Sequence, residues 1–245
     1  MPTLNAMATQ EERVGGSTLN ERILGRGWQL IQSIEAAFER GDIDAAEWHA
    51  RIGATIGPAY LSATDPRAQS GFSGSAEDWE RARRFIFAAV NRDGTFLDVG
   101  CANGHLMECA VRWLADDGIR IEPYGLEILP ELVVMARQRL PHWADRIAVG
   151  NALDWIPDRP VDFVRTGLEY VPASLRAQLV GHLLEDVVAP GGRLIVGAYS
   201  EPAGSMPRLP AEVANWGFAV VGAAEVPHVQ DHRVVRRAFW LDKPL

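Results

Sequence analysis

The chain begins with apolar residues at helical spacing. Those in the range 24–38 recur every three or four positions, which predicts an amphipathic helix that begins near Asn20 and ends at Gly41. A second helix is predicted with Asp44 as its N-cap, and Pro58 is expected to end it. The first twenty residues carry no such periodicity, and we expect them to fray.

A polar, turn-prone segment follows these two helices. Residues 61–75 are dominated by Ser, Ala, Gly, Pro and Asp, so we interpret them as a loop that is able to act as a lid. Ser75 and Asp78 form a capping signal for a third helix, which Asp93 and Gly94 are expected to end. The apolar side of this helix is predicted to carry Trp79, Ala82, Ile86, Ala89 and Val90.

Beyond residue 94, short apolar runs alternate with helical stretches, a pattern typical of βαβ units around a parallel sheet. The predicted strands are 95–99, 123–127, 146–149, 161–165 and 193–199, and the predicted helices are 104–116, 130–140 and 172–188. The last two extended runs, 218–226 and 233–241, are joined so closely that they must be antiparallel. We therefore predict an α/β fold with a mostly parallel sheet, an antiparallel C-terminal hairpin and an N-terminal helical cap.

Composition narrows the class of protein. The 245 residues suffice for one domain with an appendage, and the net charge of -8 disfavours a nucleic-acid partner because it repels phosphates. No apolar run approaches the ~18 residues of a membrane span, so no membrane partner is expected. The N-terminus lacks a secretory signal, which indicates a cytoplasmic protein. Cys101 and Cys109 are expected to be free thiols.

Two basic clusters and six histidines carry weaker signals. We interpret the clusters as solvated faces, although either could bind an acidic small-molecule substrate; they comprise Arg81, Arg83 and Arg84, and Arg233, Arg236 and Arg237. The histidines lack metal-ligand spacing, so no metal site is expected. His228 and His232 could line an acceptor pocket, but a solvated loop is the preferred interpretation.

The strongest local signal is the segment 96–108, FLDVGCANGHLME, where an apolar strand leads into a glycine turn and an amphipathic helix. Gly100 allows a sharp turn and a close ligand, and Gly104 opens a helix whose free amide groups face the same crevice. The dinucleotide fingerprint G-x-G-x-x-G fits poorly, because the three positions are Gly100, Ala102 and His105.

This segment resembles motif I of class I S-adenosylmethionine-dependent methyltransferases. YGLEIL, at 124–129, is similar to the family's second strand, whose final acid binds the ribose hydroxyls of the cofactor; here that acid is Glu127. GNALDW, at 150–155, is similar to the family's Gly-Asp-Ala site for the adenine amino group, with Asn151 in place of the acid.

The resemblance extends along most of the chain, over roughly residues 84–241. Segments 161–171 and 183–199 are similar to the family's fourth strand and to its Pro-Gly-Gly turn with the fifth strand. It implies a Rossmann-like, doubly wound domain at 81–245, with a helical cap and lid loop at 1–80, and S-adenosyl-L-methionine as the cofactor. The residues that it assigns to cofactor binding are Asp98, Gly100, Ala102, Asn103, Gly104, Glu127, Ile128, Asn151, Ala152 and Thr166.

Two positions depart from the family pattern. Asn151 lacks the charge of the usual acid, but its amide oxygen still accepts a hydrogen bond. Ala102 stands where the family most often has glycine, and its methyl group is expected to restrict φ to negative values.

Candidate catalytic and substrate residues follow from the reaction. A methyl sulfonium needs an aligned nucleophile and the exclusion of water more than it needs catalytic groups. Glu169 and Tyr170 are the best-placed catalytic candidates, although Tyr170 could simply pack, and Glu169 could bind a substrate amine or cap a helix. Trp79, Arg81 and His232 are the substrate candidates, and for Trp79 a place in the core is the preferred interpretation.

We therefore expect a methyltransferase that acts on a small organic molecule, with methylation of oxygen, nitrogen or carbon left open. The chain has Gly167 to Tyr170, GLEY, where enzymes that methylate amino groups of nucleic acids or proteins often have D/N-P-P-Y/F. A protein that binds the cofactor without transferring methyl is the alternative, motivated by Ala102 and Asn151. An RNA or protein methyltransferase is less favoured, and a homodimer is left open.

Overall fold

The computed structural model describes residues 19–229 and 231–245. Its first two helices, α1 (Leu19–Glu39) and α2 (Ala45–Ser62), bury Ile34 and Trp48 in a small apolar cluster. The fraying expected for the first twenty residues falls outside the described residues, except at 19 and 20, which are helical. The side chain of Leu24 also lies outside them.

Helix α2 begins as predicted but ends later. Asp44 caps it, with its Oδ1 accepting the Glu47 N–H at 2.8 Å. The prediction that Pro58 ends the helix was wrong, because the helix continues to Ser62. A proline inside a helix removes one backbone hydrogen bond. The last turn nevertheless forms, and its Tyr60 lines the candidate site described below.

The third helix, α3 (Ala76–Arg83), starts with the predicted capping box between Ser75 and Asp78. The prediction that this α-helix continues to Asp93 was wrong. The α-helix ends at Arg83, and the chain continues as a tighter 3₁₀ helix, Arg84–Ala89. Residues three apart eclipse each other in that geometry, so the apolar side continues without a break. The five residues predicted for this side are all buried, namely Trp79, Ala82, Ile86, Ala89 and Val90.

In the described part of the chain, seven strands form one sheet in the order β3-β2-β1-β4-β5-β7-β6. They are β1 (Gly94–Val99), β2 (Ile121–Glu127), β3 (Ile147–Val149), β4 (Val161–Thr166), β5 (Val188–Pro202), β6 (Gly222–Pro227) and β7 (Val234–Asp242). Strands β1 to β5 are parallel, and β7 is antiparallel to both β5 and β6. The predicted α/β class, parallel sheet and antiparallel hairpin are confirmed.

The remaining helices are α4 (His105–Asp116), α5 (Pro130–Arg139), α6 (Arg176–His182) and α7 (Arg208–Asn215). The predicted helix 172–188 is shorter in the structure, because α6 passes into a π-turn and β5 already begins at Val188. Helix α7 was not predicted; its prolines are the N-cap, Pro207, and Pro210 in the first turn, where a helix tolerates proline. The run 218–226 forms a strand only from Gly222, because Phe218 and Val220 pack on the core instead.

The core lies on both faces of the sheet, as a doubly wound fold requires. One apolar cluster packs α6 and α7 against the sheet, and a second packs α3 and α4 against its other face. The carboxyl ends of β1, β2 and β4 open beneath α2 and the loop that follows it, which positions the candidate site. Both cysteines are unpaired, as predicted. Among the described residues, no helix has both the length and the apolarity to cross a membrane.

Candidate functional site

The turn after β1 is built from backbone in the left-handed region. Gly100 has φ of 71° and Gly104 has φ of 74°, and Ala102 between them has φ of 48°. The expectation of a negative φ at Ala102 was therefore wrong. The left-handed region costs an L-residue roughly 1–2 kcal/mol, and the hydrogen bond from the Ala102 N–H to Glu127 offsets that cost.

Gly100 also makes room for an aromatic ring. A Cβ at this position would lie 2.7 Å from the ring of Tyr170, which is closer than van der Waals contact allows. Because glycine has no Cβ, the Tyr170 ring packs directly against the turn. The close approach therefore joins the end of β1 to the segment that follows β4.

Glu127 ends β2 and holds the same turn from the other side. Its Oε2 accepts the Ala102 N–H at 2.9 Å, and its Oε1 accepts the Leu129 N–H at 3.0 Å. Burial raises the pKa of the Glu127 carboxyl, while these N–H groups oppose the shift. Each carboxylate oxygen keeps a further lone pair for a ligand.

A cavity of about 900 Å³, including its open mouth, lies along this wall. We name it the first chamber; Gly100, Ala102, Glu127 and Asn151 line it from the sheet side, and α2 closes it from above. Helix α2 is held to the segment after β4 by His49, whose Nε2 lies 3.1 Å from the Tyr170 carbonyl oxygen.

A second cavity of about 590 Å³ adjoins the first. We name it the second chamber, and Trp79, Arg83, Asp98, Arg165 and Ala198 line it. The residues that line both chambers are Tyr60, Ser70, Gly100, Ala102, Glu169 and Tyr170. The two chambers are thus halves of one crevice, with Glu169 and Tyr170 at their junction.

A buried ion pair lies at the floor of the second chamber. Arg165 Nη1 lies 3.1 Å from Asp98 Oδ1 and donates to the Tyr170 hydroxyl at 2.9 Å. Burial raises the pKa of Asp98, and the positive charge of Arg165 opposes the shift. Burial also raises the pKa of Tyr170, so its hydroxyl keeps its proton at neutral pH.

The loop between α2 and α3 is tied to the turn after β1 by one side chain. Asn103 donates to the Pro66 carbonyl at 3.0 Å and to Gln69 Oε1 at 2.9 Å. Its own oxygen accepts from the Ser70 hydroxyl at 2.7 Å and from the His105 N–H at 3.0 Å. Every polar atom of the Asn103 side chain is therefore engaged within the protein.

The structure brings most of the sequence-predicted site residues into the crevice. Those that line it are Trp79, Asp98, Gly100, Ala102, Glu127, Ile128, Asn151, Ala152, Glu169 and Tyr170. Five others do not line it. Asn103 is fully engaged with the loop, and Gly104 lies beneath Leu140. Thr166 is buried with its hydroxyl bonded to the Gly167 carbonyl.

Arg81 and His232 also lie outside the crevice, on the surface. Arg81 pairs with Asp78 at 3.0 Å on the exposed side of α3. His232 is exposed in the turn between β6 and β7. His228 of the same connection is buried instead, against the preferred interpretation of a solvated loop.

Sequence reasoning missed four buried arginines, of which Arg83 and Arg165 line the second chamber. The interpretation of both basic clusters as solvated was wrong for Arg83, Arg236 and Arg237, which are buried. A signal existed for Arg83, because it follows Trp79 by four positions and so shares the apolar stripe of its helix. Arg165 lies on the same face of β4 as Val161 and Phe163, because side chains two positions apart in a strand point the same way. This spacing is the signal that Arg165 is directed inward.

Comparisons with known proteins rest on structure. No model of a known protein family matches the chain, and no curated protein matches it either. The 1,6-didemethyltoxoflavin-N1-methyltransferase of Burkholderia thailandensis, solved with 1,6-didemethyltoxoflavin and S-adenosylhomocysteine bound, is 13% identical, with a TM-score of 0.59 over 83% of this chain and 92% of that one. A methyltransferase dependent on S-adenosylmethionine from Aquifex aeolicus is 14% identical, with a TM-score of 0.51 over 73% and 99%.

The [4+2]-cyclase SpnF is also similar, at 16% identity and a TM-score of 0.51, over 69% of this chain and 82% of that one. At such low identities the likeness shows the fold alone. That fold is the Rossmann-like fold of class I S-adenosylmethionine-dependent methyltransferases, as the sequence resemblance implied.

Proposed function

We propose that the protein is an S-adenosylmethionine-dependent methyltransferase that acts on a small organic acceptor. One observation carries the proposal: Glu127, the turn at Gly100 and Ala102, and Asn151 line one wall of the first chamber, beyond the carboxyl ends of neighbouring parallel strands. Open α/β sheets bind ligands at that edge.

The residues of the first chamber fit the cofactor. The Glu127 carboxylate has lone pairs left for two ribose hydroxyls, and the Asn151 amide oxygen can accept from the adenine amino group. The bare backbone at Gly100 leaves the methionine part room beside the turn. When bound, the cofactor supplies a methyl group on a positively charged sulfur with a neutral leaving group.

Glu169 and Tyr170 take the reactive roles in this proposal, because they line both chambers. Glu169 accepts the acceptor's proton as a general base, which requires hydrogen-bond reach of ~2.6–3.2 Å. Tyr170 keeps its own proton, since burial raises its pKa, and orients the acceptor with its hydroxyl. Trp79 forms a wall of the acceptor site, while Arg81 and His232 have no role in it.

A small acceptor agrees with the size and charge of the molecule. The second chamber is a concave crevice lined by side chains, as small-molecule sites are, and the net charge of -8 disfavours nucleic acid. The similar Burkholderia thailandensis enzyme was solved with such a molecule, 1,6-didemethyltoxoflavin.

Calorimetric titration tests the cofactor half of the proposal. We expect micromolar binding of S-adenosylmethionine and S-adenosylhomocysteine and no binding of NADH, which needs the dinucleotide fingerprint that the turn lacks. Binding of NADH alone would overturn the proposal. Incubation with a panel of small acceptors should then yield S-adenosylhomocysteine in step with the methylated product.

One comparison supports a second candidate, a protein that binds the cofactor without methyl transfer. SpnF shares the fold and is described as a [4+2]-cyclase, so the fold alone does not specify methyl transfer. The two candidates differ in turnover. A protein of the second kind binds S-adenosylmethionine but releases no S-adenosylhomocysteine with any acceptor.

A further inference from the structure

The imidazole of His49, in α2, lies between two carbonyl groups. Its Nδ1 is 2.7 Å from the Ala45 carbonyl oxygen, one turn earlier in the helix, and its Nε2 is 3.1 Å from the Tyr170 carbonyl oxygen. A carbonyl oxygen can only accept a hydrogen bond, and a neutral imidazole has one N–H to donate. The protonated imidazole has two, so it is the form that satisfies both contacts.

A neutral His49 ring loses one of the two contacts. The Ala45 contact is the shorter one and lies within the same helix, so a neutral ring keeps its N–H on the Ala45 carbonyl. The lone pair of Nε2 then faces the lone pairs of the Tyr170 carbonyl oxygen, and two acceptors at 3.1 Å repel each other. Loss of the proton therefore breaks the contact between α2 and the segment after β4, while α2 itself stays intact.

This contact is the polar link between α2 and the wall opposite it. Among the described residues, the other side-chain hydrogen bonds made by α2 stay within the helix or join it to α1, as that of Trp48 to Glu35 does at 3.0 Å. At its middle, α2 approaches Leu129 closely, since a Cβ at Gly53 would lie 2.7 Å from that side chain, but this contact is apolar. The hold of α2 on the segment after β4 therefore depends on His49.

The segment after β4 is also fastened to α1, by groups of another kind. Glu35 accepts the Ala173 N–H at 2.7 Å, and Glu39 accepts from the Ser174 hydroxyl at 2.8 Å. An ordinary carboxylate titrates near pH ~4, whereas an ordinary imidazole titrates near pH ~6.5. Of these three fastening side chains, His49 is thus the one whose residue type changes charge near neutral pH.

The surroundings of His49 favour a positive charge. Three carboxylates and two phenols line the first chamber with His49 or contact Trp48 beside it, namely Glu35, Glu127, Glu169, Tyr60 and Tyr170. Among the described residues that line this chamber, none is arginine or lysine. Burial raises the pKa of Tyr60 to about 12 and also raises that of Tyr170, so both phenols stay neutral near pH 7. The charges around the ring are therefore negative, which stabilises an imidazolium.

We propose that His49 is a positioning residue whose protonated form holds α2 over the first chamber and fixes the segment of Glu169 and Tyr170 at the junction of the two chambers. A cover must open before a ligand leaves, so a contact made in the closed state slows release. Because the closed state binds the proton, this contact is present at acidic pH and is lost as the pH rises through the imidazole range. The inference rests on the proposed function, since the retained ligand is the cofactor of that proposal.

The release rate of S-adenosylhomocysteine tests the inference. Labelled ligand bound to the full chain is chased with an excess of unlabelled ligand at about pH 5.5 and about pH 8, on either side of the imidazole range. We expect release from the unchanged protein to be at least about fivefold faster at the higher pH. His49→Gln keeps a donor for the Tyr170 carbonyl at every pH, so its release should be slow at both and differ by less than about twofold. His49→Leu has no donor and should release the ligand fast at both.

Two controls separate His49 from other titrating groups. His142→Gln removes an exposed histidine in the 3₁₀ turn before β3 and should keep the pH dependence of the unchanged protein. The neighbouring carboxylates are common to the unchanged protein and to His49→Gln, so the difference between these two proteins at one pH isolates the imidazole. Circular dichroism confirms that each variant is folded.

Limited proteolysis without ligand gives a second readout. At about pH 8, α2 of the unchanged protein should be cut sooner than α2 of His49→Gln, because its contact with Tyr170 is lost. At about pH 5.5, the two proteins should be cut at the same rate.

Three results would overturn the inference. In the first, release from the unchanged protein does not change with pH, or His49→Gln shows the same change. In the second, His49→Leu releases the ligand as slowly as the unchanged protein does at the lower pH. In the third, α2 of the unchanged protein and of His49→Gln is cut alike at both pH values. Failure of the proposed function is recorded separately, as absence of S-adenosylhomocysteine binding at either pH, and proteolysis then decides the role of His49.

Discussion

The two chambers of the crevice are built in different ways. The sheet side of the first chamber comes from the turns after three neighbouring strands, within 98–129 and 150–152, and its chemistry is one carboxylate, one amide and backbone. The second chamber draws side chains from α2, the loop after it, α3, β1, β4 and β5. The sheet side of the first chamber can therefore be predicted from local sequence motifs. The second chamber forms only when segments that are distant in sequence come together in the fold.

The chambers also differ in charge. The acid on the sheet side of the first chamber is Glu127, which backbone N–H groups balance, and Glu169 lines both chambers. The second chamber contains Asp98 and Arg165 as a pair and Arg83 without one. In our account the first chamber holds the adenosine part of the cofactor, and the second holds its methionine end and the acceptor.

The largest expected effect concerns the ion pair at the floor of the second chamber. Asp98→Asn leaves Arg165 buried and uncompensated, which should lower the free energy of unfolding by about 3–5 kcal/mol in urea titrations. Asp117→Asn, which breaks a partly exposed pair with Arg84, should change it by less than about 1 kcal/mol. Equal effects of the two variants would show that Arg165 is compensated by another group.

A smaller effect is expected where the loop between α2 and α3 is tied to the turn after β1. Asn103→Ala removes three hydrogen bonds to the loop between α2 and α3 and leaves its polar partners unpaired, at a cost of about 1–3 kcal/mol of stability. Limited proteolysis should then cut within 63–75 sooner than in the unchanged protein. Asn215→Ala, at an exposed helix end, is the control and should be neutral. Unaltered proteolysis in Asn103→Ala would mean that other contacts hold the loop.

The sequence predicted most of the fold because periodicity and turn residues report local structure. The mostly parallel sheet and the antiparallel hairpin followed from the βα alternation, the short final connection and the family resemblance. The errors arose where tertiary contacts override local preference, as at Pro58, where α2 continues into the site. Helix α7, which was not predicted, shows the same effect, because burial of Val213 stabilises a helix in a segment that contains Pro207 and Pro210.

For the site, the sequence located backbone turns better than side chains. Glu127 and Asn151 line the crevice because strand ends dictate where they lie. Asn103 occupies the predicted turn, yet its side chain is directed to a loop more than thirty residues earlier, which spacing alone does not reveal. Arg83 and Arg236 stand in the sequence beside exposed arginines. Only the periodicity of α3 and β7 distinguishes these two inward-facing arginines from their exposed neighbours.

The most direct test of the central claim is the affinity of Glu127 variants for S-adenosylhomocysteine, measured by calorimetry. Glu127→Ala removes two hydrogen bonds from ribose hydroxyls to a charged acceptor, each worth about 1.5–3 kcal/mol, so we expect affinity to fall at least ~100-fold. Glu122→Ala, near the opposite end of the same strand, should stay within about twofold. Unchanged affinity in a folded Glu127→Ala protein would show that the cofactor does not bind in the first chamber, contrary to this account.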